Sequence, residues 1–130
     1  MRTPLFSVII PTLNEEKFLP KLLDSLVVQT NKSFEVIVVD GKSKDQTVEV
    51  AKSYAKKLSA LSVVMSPKAS LPFQRNFGAT HARGEWLVFV DADGVFLPYF
   101  IARSMAFIAL EKPMVFTSWF TPDTTVSGDA

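Results

Sequence analysis

Short runs of β-branched and aliphatic residues alternate along this chain with segments whose apolar residues recur every three or four positions. Such runs are typical of strands buried on both faces, and the three-to-four spacing is typical of amphipathic helices. Strands are predicted at residues 5–11, 34–39, 62–66, 86–90 and 114–120, and helices at about 18–29, 48–58, 73–81 and 97–110. The alternation predicts β-α-β units, and therefore an α/β fold with a three-layer, Rossmann-like, mostly parallel sheet.

The connections between strands restrict their order. Crossovers between parallel strands are right-handed, which leaves few orders, and the one predicted is 3-2-1-4. In such a sheet, ligands bind at the carboxyl ends of the strands, beside the point where the strand order reverses. Polar residues follow three of these ends: residues 11–15 follow the first strand, Asp40 follows the second, and Asp91 and Asp93 follow the fourth. We expect these residues to line one crevice.

Composition limits the class of protein. The 130 residues, 48% of them hydrophobic, predict one compact domain over residues 1–130, with a polar tail at 121–130 that frays. A formal charge of +1 is too small for binding driven by counterion release, so no nucleic-acid partner is expected. The absence of cysteine and the single histidine exclude thiolate and multi-histidine metal sites.

No targeting or membrane-spanning segment is predicted in these 130 residues. The N-terminal apolar run has no small-residue cleavage site, and the longest apolar region, residues 95–110, falls short of the ~20 residues that a membrane span needs. The expected location is the cytoplasm, or a membrane surface if the chain is part of a longer protein.

Four carboxylates, those of Glu15, Asp40, Asp91 and Asp93, are predicted to meet at the crevice. Unpaired carboxylates repel one another, and a cation or a donor-rich ligand offsets this repulsion. Residues at i and i+2 leave a strand on the same side, so Asp91 and Asp93 could both reach one Mg²⁺ or Mn²⁺ ion. The alternative is that the two aspartates only cap the turn that continues into Gly94.

At these residues the sequence resembles the family 2 glycosyltransferases, which have the GT-A fold. Residues 8–16 resemble the opening strand and nucleoside-binding turn of that family, and residues 35–47 resemble its second strand with the loop beyond. Residues 75–79 and 82–93 resemble the helix, the following strand and the Asp-x-Asp motif. The resemblance covers residues 5 to 110, in the order that the family has.

The resemblance implies an enzyme that transfers a sugar from a nucleoside-diphosphate sugar, with UDP favoured, to a saccharide or lipid acceptor, with inversion at the sugar carbon. It implies a Mn²⁺ or Mg²⁺ cofactor held by Asp91 and Asp93, and a pyrophosphate near Arg75. The residues implied to bind the nucleotide are Pro11, Thr12, Asn14, Glu15, Asp40, Arg75 and Asp91.

The chain is shorter than members of that family, which suggests the N-terminal nucleotide-binding half without the acceptor half. No general base is predicted, because Glu111, Asp123 and Asp129 are each expected to be solvated surface charges. The chain alone is therefore expected to be inactive. The apolar segments at 97–110 and 114–120 are expected to be exposed and to favour self-association.

Two other functions fit parts of the sequence. Residues 88–95 resemble the opening motif of haloacid-dehalogenase-like phosphatases, with Asp91 as the nucleophile and Asp93 as the acid/base, although that motif belongs on a first strand. A non-catalytic nucleotide-binding module is the second alternative. His81 is interpreted as a surface or helix-end residue without a role. The phenylalanines from Phe96 to Phe120 are interpreted as core, with a lipid-docking surface as the alternative.

Overall fold

The computed structural model describes residues 3–114. The predicted tail and, apart from Met114, the predicted fifth strand lie outside the described residues. Within the described residues, four strands alternate with four helices in the predicted order. The elements are β1 (Phe6–Thr12), α1 (Leu19–Val27), β2 (Phe34–Asp40), α2 (Thr47–Lys52), β3 (Leu61–Met65), α3 (Leu71–Thr80), β4 (Trp86–Phe89) and α4 (Phe100–Glu111).

The four strands form a parallel sheet in the order β3-β2-β1-β4, which confirms the predicted order. The register pairs Thr12 with Asp40 at the ends of β1 and β2, and pairs Ile9 with Phe89 on the other side of β1. The strand order reverses between β1 and β4, so the carboxyl ends of these two strands form the edge where a ligand site is expected.

Helices cover both faces of the sheet, which gives the three layers. Alternate side chains of β1 and β2, such as Val8 and Val36, pack in one cluster with residues of α1, α2 and α4. The intervening side chains, Ile9 and Val39 among them, pack on the other face with residues of α3. α3 joins β3 to β4 across the sheet, and a right-handed crossover in that direction must use the face opposite to α1 and α2.

α3 approaches the sheet closely at Gly78. A Cβ atom at this position would lie 2.7 Å from the Cγ2 atoms of Ile9 and Val39. No side chain fits at that distance, so glycine lets the helix backbone rest directly on β1 and β2.

All four helices differ from their predicted limits, and α1 ends at Val27, two residues earlier than predicted. α2 ends at Lys52, not near Leu58, because the following N–H groups donate three residues back, as Tyr54 does to Ala51, in turns tighter than an α-helix. α3 begins at Leu71 because Ser70 caps it, accepting a hydrogen bond from the Phe73 N–H.

α4 begins at Phe100, three residues later than predicted, because the segment before it is bound to α1. Ser25 Oγ accepts a hydrogen bond from the Phe96 N–H, and Gln29 Nε2 donates one to the Leu97 carbonyl. Gln29 Oε1 also accepts a hydrogen bond from the Ile101 N–H, in the first turn of α4. Among the described residues, no helix has the length and apolar character to cross a membrane.

The phenylalanines around α4 follow the core interpretation only in part. Phe96 is buried in the core and its ring lies 4.6 Å, centroid to centroid, from that of Phe100. Phe107 is 42% exposed. Phe116 and Phe120 lie outside the described residues.

Candidate functional site

The carboxyl ends of β1 and β2 are joined by a buried hydrogen-bond network around Asp40. Asp40 Oδ1 accepts hydrogen bonds from Thr12 Oγ1 at 2.8 Å and from Ser43 Oγ at 2.6 Å, and Oδ2 accepts one from the Ser43 N–H at 2.7 Å. Thr12 and Asp40 are both fully buried. A carboxylate that has left water needs such donors. The network therefore ties the carboxyl ends of β1 and β2 together and holds Asp40 buried between them.

The loops that follow β1 and β2 are bound to each other along their length. Three consecutive N–H groups of the first loop donate to side-chain oxygens of the second loop and of the first residue of α2, in the pairs Asn14–Ser43, Glu16–Asp45 and Glu15–Thr47. In return, Asn14 Oδ1 accepts a hydrogen bond from the Lys44 N–H at 2.8 Å. Asn14 has a φ of 55°, a conformation that asparagine tolerates better than most residues. The two loops are thus held together as one unit at this edge of the sheet.

Gln74 is a residue of the site that the sequence analysis missed. Its Nε2 donates hydrogen bonds to the main-chain carbonyls of Thr12 at 3.0 Å and Val39 at 2.8 Å, and its side chain is 1% exposed. A Cβ at Gly41 would lie 2.7 Å from Gln74 Oε1, so the turn after β2 leaves room for this amide. The sequence signal was the four-residue spacing from Gly78, which places Gln74 on the helix face that meets the sheet.

Asp91 and Asp93 lie just beyond β4, and both are exposed. An Arg75 guanidinium nitrogen from α3 lies 3.1 Å from Asp91 Oδ1 and forms an ion pair with it. The turn after β4 is closed by the Gly94 N–H, which donates to the main-chain carbonyl of Asp91 at 2.9 Å. The turn therefore does not depend on either carboxylate, and both remain accessible to a ligand.

The pKa of Glu15 is raised by its surroundings. Burial raises the pKa of Glu15, and the negative charges of Asp93, Asp45 and Asp91 raise it further. Asp45 keeps its charge because hydrogen bonds from Thr47 and Glu16 outweigh its own partial burial and lower its pKa. Glu15, on the β1 side, is therefore near enough to the aspartates at the end of β4 for their charges to act on it.

The structure brings most of the predicted site residues to one edge of the sheet. Thr12 and Asp40 are the last residues of β1 and β2, and Asn14 and Glu15 follow β1. Arg75 on α3 forms an ion pair with Asp91 after β4. Pro11 is a buried residue within β1. The expectation of four unpaired carboxylates was wrong in two places, because Asp40 accepts three hydrogen bonds and Asp91 is paired with Arg75.

The donors at this edge fit a hard divalent cation. In residues 3–114, no three aspartates, glutamates or histidines lie close enough together to hold a metal by themselves. Asp91 and Asp93 supply two exposed carboxylates, and Mg²⁺ is commonly bound by one or two carboxylates together with water and substrate phosphates. The chemistry of the pair therefore suits a cation that is shared with a diphosphate.

The remaining titratable candidates lie away from this edge or on the surface. His81 follows the last turn of α3, is exposed, and its Nδ1 lies 2.9 Å from the Phe77 carbonyl, as expected for a helix-end histidine. α3 begins beside Thr12, so its last turn is at the opposite end of the sheet from the crevice. Glu111 is exposed at the end of α4. Asp123 and Asp129 lie outside the described residues.

The sequence matches the model of the family described as "Glycosyl transferase family 2" over residues 7–126. A relative from Mycobacterium bovis, named PGL/p-HBAD biosynthesis glycosyltransferase, is 37% identical over 115 residues. The match covers 87% of this chain and 45% of that protein, so the chain spans less than half of its relative's length.

Solved structures match the fold as well. The Staphylococcus aureus TarS structure in complex with UDP has a TM-score of 0.77 at 40% identity, covering 82% of this chain and 32% of that one. A mannosyltransferase from Pyrobaculum calidifontis, in complex with GDP-Man and Mn²⁺, has a TM-score of 0.74 at 30% identity, covering 83% and 33%. With a family match over most of its length and the same fold, the chain belongs to glycosyl transferase family 2.

Proposed function

We propose that this chain is the nucleotide-sugar-binding part of a glycosyltransferase that transfers a sugar from a nucleoside-diphosphate sugar to an acceptor, with inversion and with a divalent cation. The observation that carries the proposal is the arrangement of Glu15, Asp91 and Arg75 at the edge where the strand order reverses. Carboxylates and a guanidinium at one edge suit a ligand that carries both a cation and a diphosphate.

The nucleoside is assigned to the β1 and β2 side of the crevice. Asn14 and Glu15 border it, while Thr12 and Asp40 lie buried beneath it. Asp40 is fully buried, so a base contacts it directly only if the Ser43 loop moves, and Asp40 also serves by holding that loop in place. UDP is favoured because S. aureus TarS, at 40% identity, is solved with UDP.

The diphosphate is assigned to the β4 side. Arg75 can present two parallel N–H donors to phosphate oxygens, a geometry for which guanidinium groups are well suited. Asp91 and Asp93 would hold Mg²⁺ or Mn²⁺, and the P. calidifontis mannosyltransferase is solved with Mn²⁺. When bound, the cation would offset the negative charge that develops on the leaving diphosphate.

The acceptor and the general base are not assigned to described residues. His81 is at the wrong end of the sheet, and Glu111 is an exposed residue at the end of α4. A positioned base typically contributes ~10²–10⁴-fold to the rate, and acceptor positioning contributes more. The 130-residue chain should therefore bind the donor without appreciable transfer.

A thermal-shift series on the 130-residue chain tests the proposal. UDP-, GDP- and dTDP-sugars are compared with and without Mn²⁺, because a ligand of the folded state raises the melting temperature. We expect the largest rise with a UDP-sugar and Mn²⁺ together, and a smaller rise for the Asp93→Asn variant. The exposed Glu49→Gln variant on α2 is the matched control for loss of one negative charge.

Three outcomes separate the candidate functions. No rise with any nucleotide sugar would contradict nucleotide binding altogether. Multiple turnovers onto an added acceptor would show that a base lies within this chain. A rise with nucleotide sugars, and no transfer when the chain is extended to the length of its relatives, would favour a non-catalytic nucleotide-binding module.

A further inference from the structure

Arg75 forms the ion pair that joins α3 to the segment after β4. Its guanidinium nitrogen lies 3.1 Å from Asp91 Oδ1, and the side chains are 36% and 65% exposed, respectively. Arg75 directly follows Gln74, whose buried amide anchors this turn of α3 to the ends of β1 and β2. The helix therefore places the positive charge of Arg75 beside Asp91, one of the two carboxylates assigned to the metal.

This placement sets Arg75 in competition with a metal ion. A divalent cation that binds Asp91 must displace the guanidinium or share the oxygen with it, and two cations at one carboxylate repel each other. We propose that Arg75 is a positioning residue that makes divalent-cation binding depend on the diphosphate. The inference rests on the function proposed above and concerns the order in which the ligands bind.

A diphosphate removes the competition. Its oxygens offer Arg75 a stronger, bidentate partner, so the guanidinium can leave Asp91 when a nucleotide is bound. Asp91 is then available to the cation, and the diphosphate supplies further oxygen ligands. Because linkage is reciprocal, the cation raises nucleotide affinity by the same factor as the nucleotide raises cation affinity.

The size of the effect follows from the exposure of the pair. Ion pairs between exposed side chains typically change an equilibrium by about 0.2–1 kcal/mol. Removal of the guanidinium should therefore tighten Mn²⁺ binding to the nucleotide-free chain by a factor of about 1.4 to 5. The effect should weaken at high salt, which screens exposed charges.

The test is a Mn²⁺ titration of the 130-residue chain, followed by electron paramagnetic resonance, with and without UDP. Arg75→Ala should bind Mn²⁺ more tightly than the wild type without UDP, and UDP should improve its affinity by a smaller factor. Arg75→Lys keeps the charge but loses the bidentate guanidinium donor, so its Mn²⁺ affinity should lie between those of Arg75→Ala and the wild type. Lys52→Ala, which removes one exposed positive charge from α2, should match the wild type.

A double variant shows whether the effect passes through Asp91. In an Asp91→Asn background, Arg75→Ala should no longer tighten Mn²⁺ binding. Equal or weaker Mn²⁺ affinity of Arg75→Ala without UDP overturns the role of Arg75 while leaving the proposed metal site intact. Failure of the wild-type chain to bind Mn²⁺ even with UDP overturns the proposed metal site and this inference together.

Discussion

Thr12 and Asp40 are register partners at the ends of neighbouring strands, and the Thr12 hydroxyl donates a 2.8 Å hydrogen bond to Asp40 Oδ1. Both side chains are fully buried, and Ser43 supplies the other two hydrogen bonds to the carboxylate. A residue that the family resemblance assigns to nucleoside binding thus also supports the turn between β2 and α2. Substitutions around Asp40 should accordingly change stability as well as binding.

Thr12→Val should destabilise the fold, because valine has nearly the shape of threonine but leaves Asp40 without one of its donors. Loss of one partner of a buried charged group typically costs about 1–3 kcal/mol in the free energy of unfolding. Thr80→Val is the control, since Thr80 is exposed at the end of α3 and should change stability by less than about 0.5 kcal/mol. Urea denaturation measures both, and equal effects would show that the Thr12 hydroxyl does not stabilise Asp40.

Gln74→Leu should also destabilise the fold, by about 1–3 kcal/mol, because it removes the donor to two main-chain carbonyls. Gln74→Glu should destabilise the fold more than Gln74→Leu at neutral pH, since it would bury a negative charge beside carbonyl oxygens. Its stability should recover as the pH falls and the new carboxyl group is protonated. Asn76→Leu on the exposed side of α3 is the control. If Gln74→Leu unfolds at the same urea concentration as that control, the amide does not anchor α3.

The sequence predicted the sheet better than it predicted the site. Strand order follows from element alternation and crossover handedness, both of which are readable from residues 5–90. The hydrogen bonds around Asp40 are not readable in this way, because they depend on the register that places Thr12 beside it and on the turn that brings Ser43 back to it. The expectation of unpaired carboxylates failed for the same reason. Spacing places Asp91 at a strand end but cannot show that Arg75, on another element, reaches it.

Asp93→Asn should remove the metal-dependent part of nucleotide binding. The side chain loses its negative charge but keeps its size, and loss of a metal ligand should weaken Mn²⁺ binding by about an order of magnitude or more. Isothermal titration of UDP in Mn²⁺ and in EDTA measures the increment, with Glu49→Gln as the charge control. If UDP binds the wild type equally well in both solutions, Asp91 and Asp93 are not metal ligands for the nucleotide.

Glu35 should make stability depend on pH at the end of the sheet opposite the crevice. Burial alone would raise the pKa of Glu35, but hydrogen bonds from Ser7 and from the Arg83 N–H and guanidinium outweigh it and lower the pKa from 4.5. The folded state therefore binds this proton less readily than the unfolded state. The resulting stability is fully present above pH 4.5 and is lost as the pH falls through the lowered pKa.

Glu35→Gln should accordingly cost about 1–3 kcal/mol at neutral pH and less in acid. Urea denaturation of both proteins from neutral pH to below 4.5 measures the difference. Glu85→Gln, at an exposed position close to Arg83 in the chain, is the control and should change stability by less than about 0.5 kcal/mol. A Glu35→Gln penalty that grows as the pH falls would contradict the direction of the pKa shift.

Leu110→Glu should reduce self-association of the chain. Leu110 on α4 is 80% exposed, Met114 is 93% exposed and Phe107 is 42% exposed, so apolar side chains meet solvent around the end of this helix. Exposed apolar patches are typical of association surfaces, and a buried charge without a partner opposes association. Sedimentation velocity of the wild type should show an average mass that rises with concentration above 14.4 kDa, while the variant stays closer to that mass.

Ala55→Glu, which adds the same charge at an exposed position after α2, should behave as the wild type. A wild-type chain that remains monomeric at every concentration would show that this end of α4 does not bind a second copy.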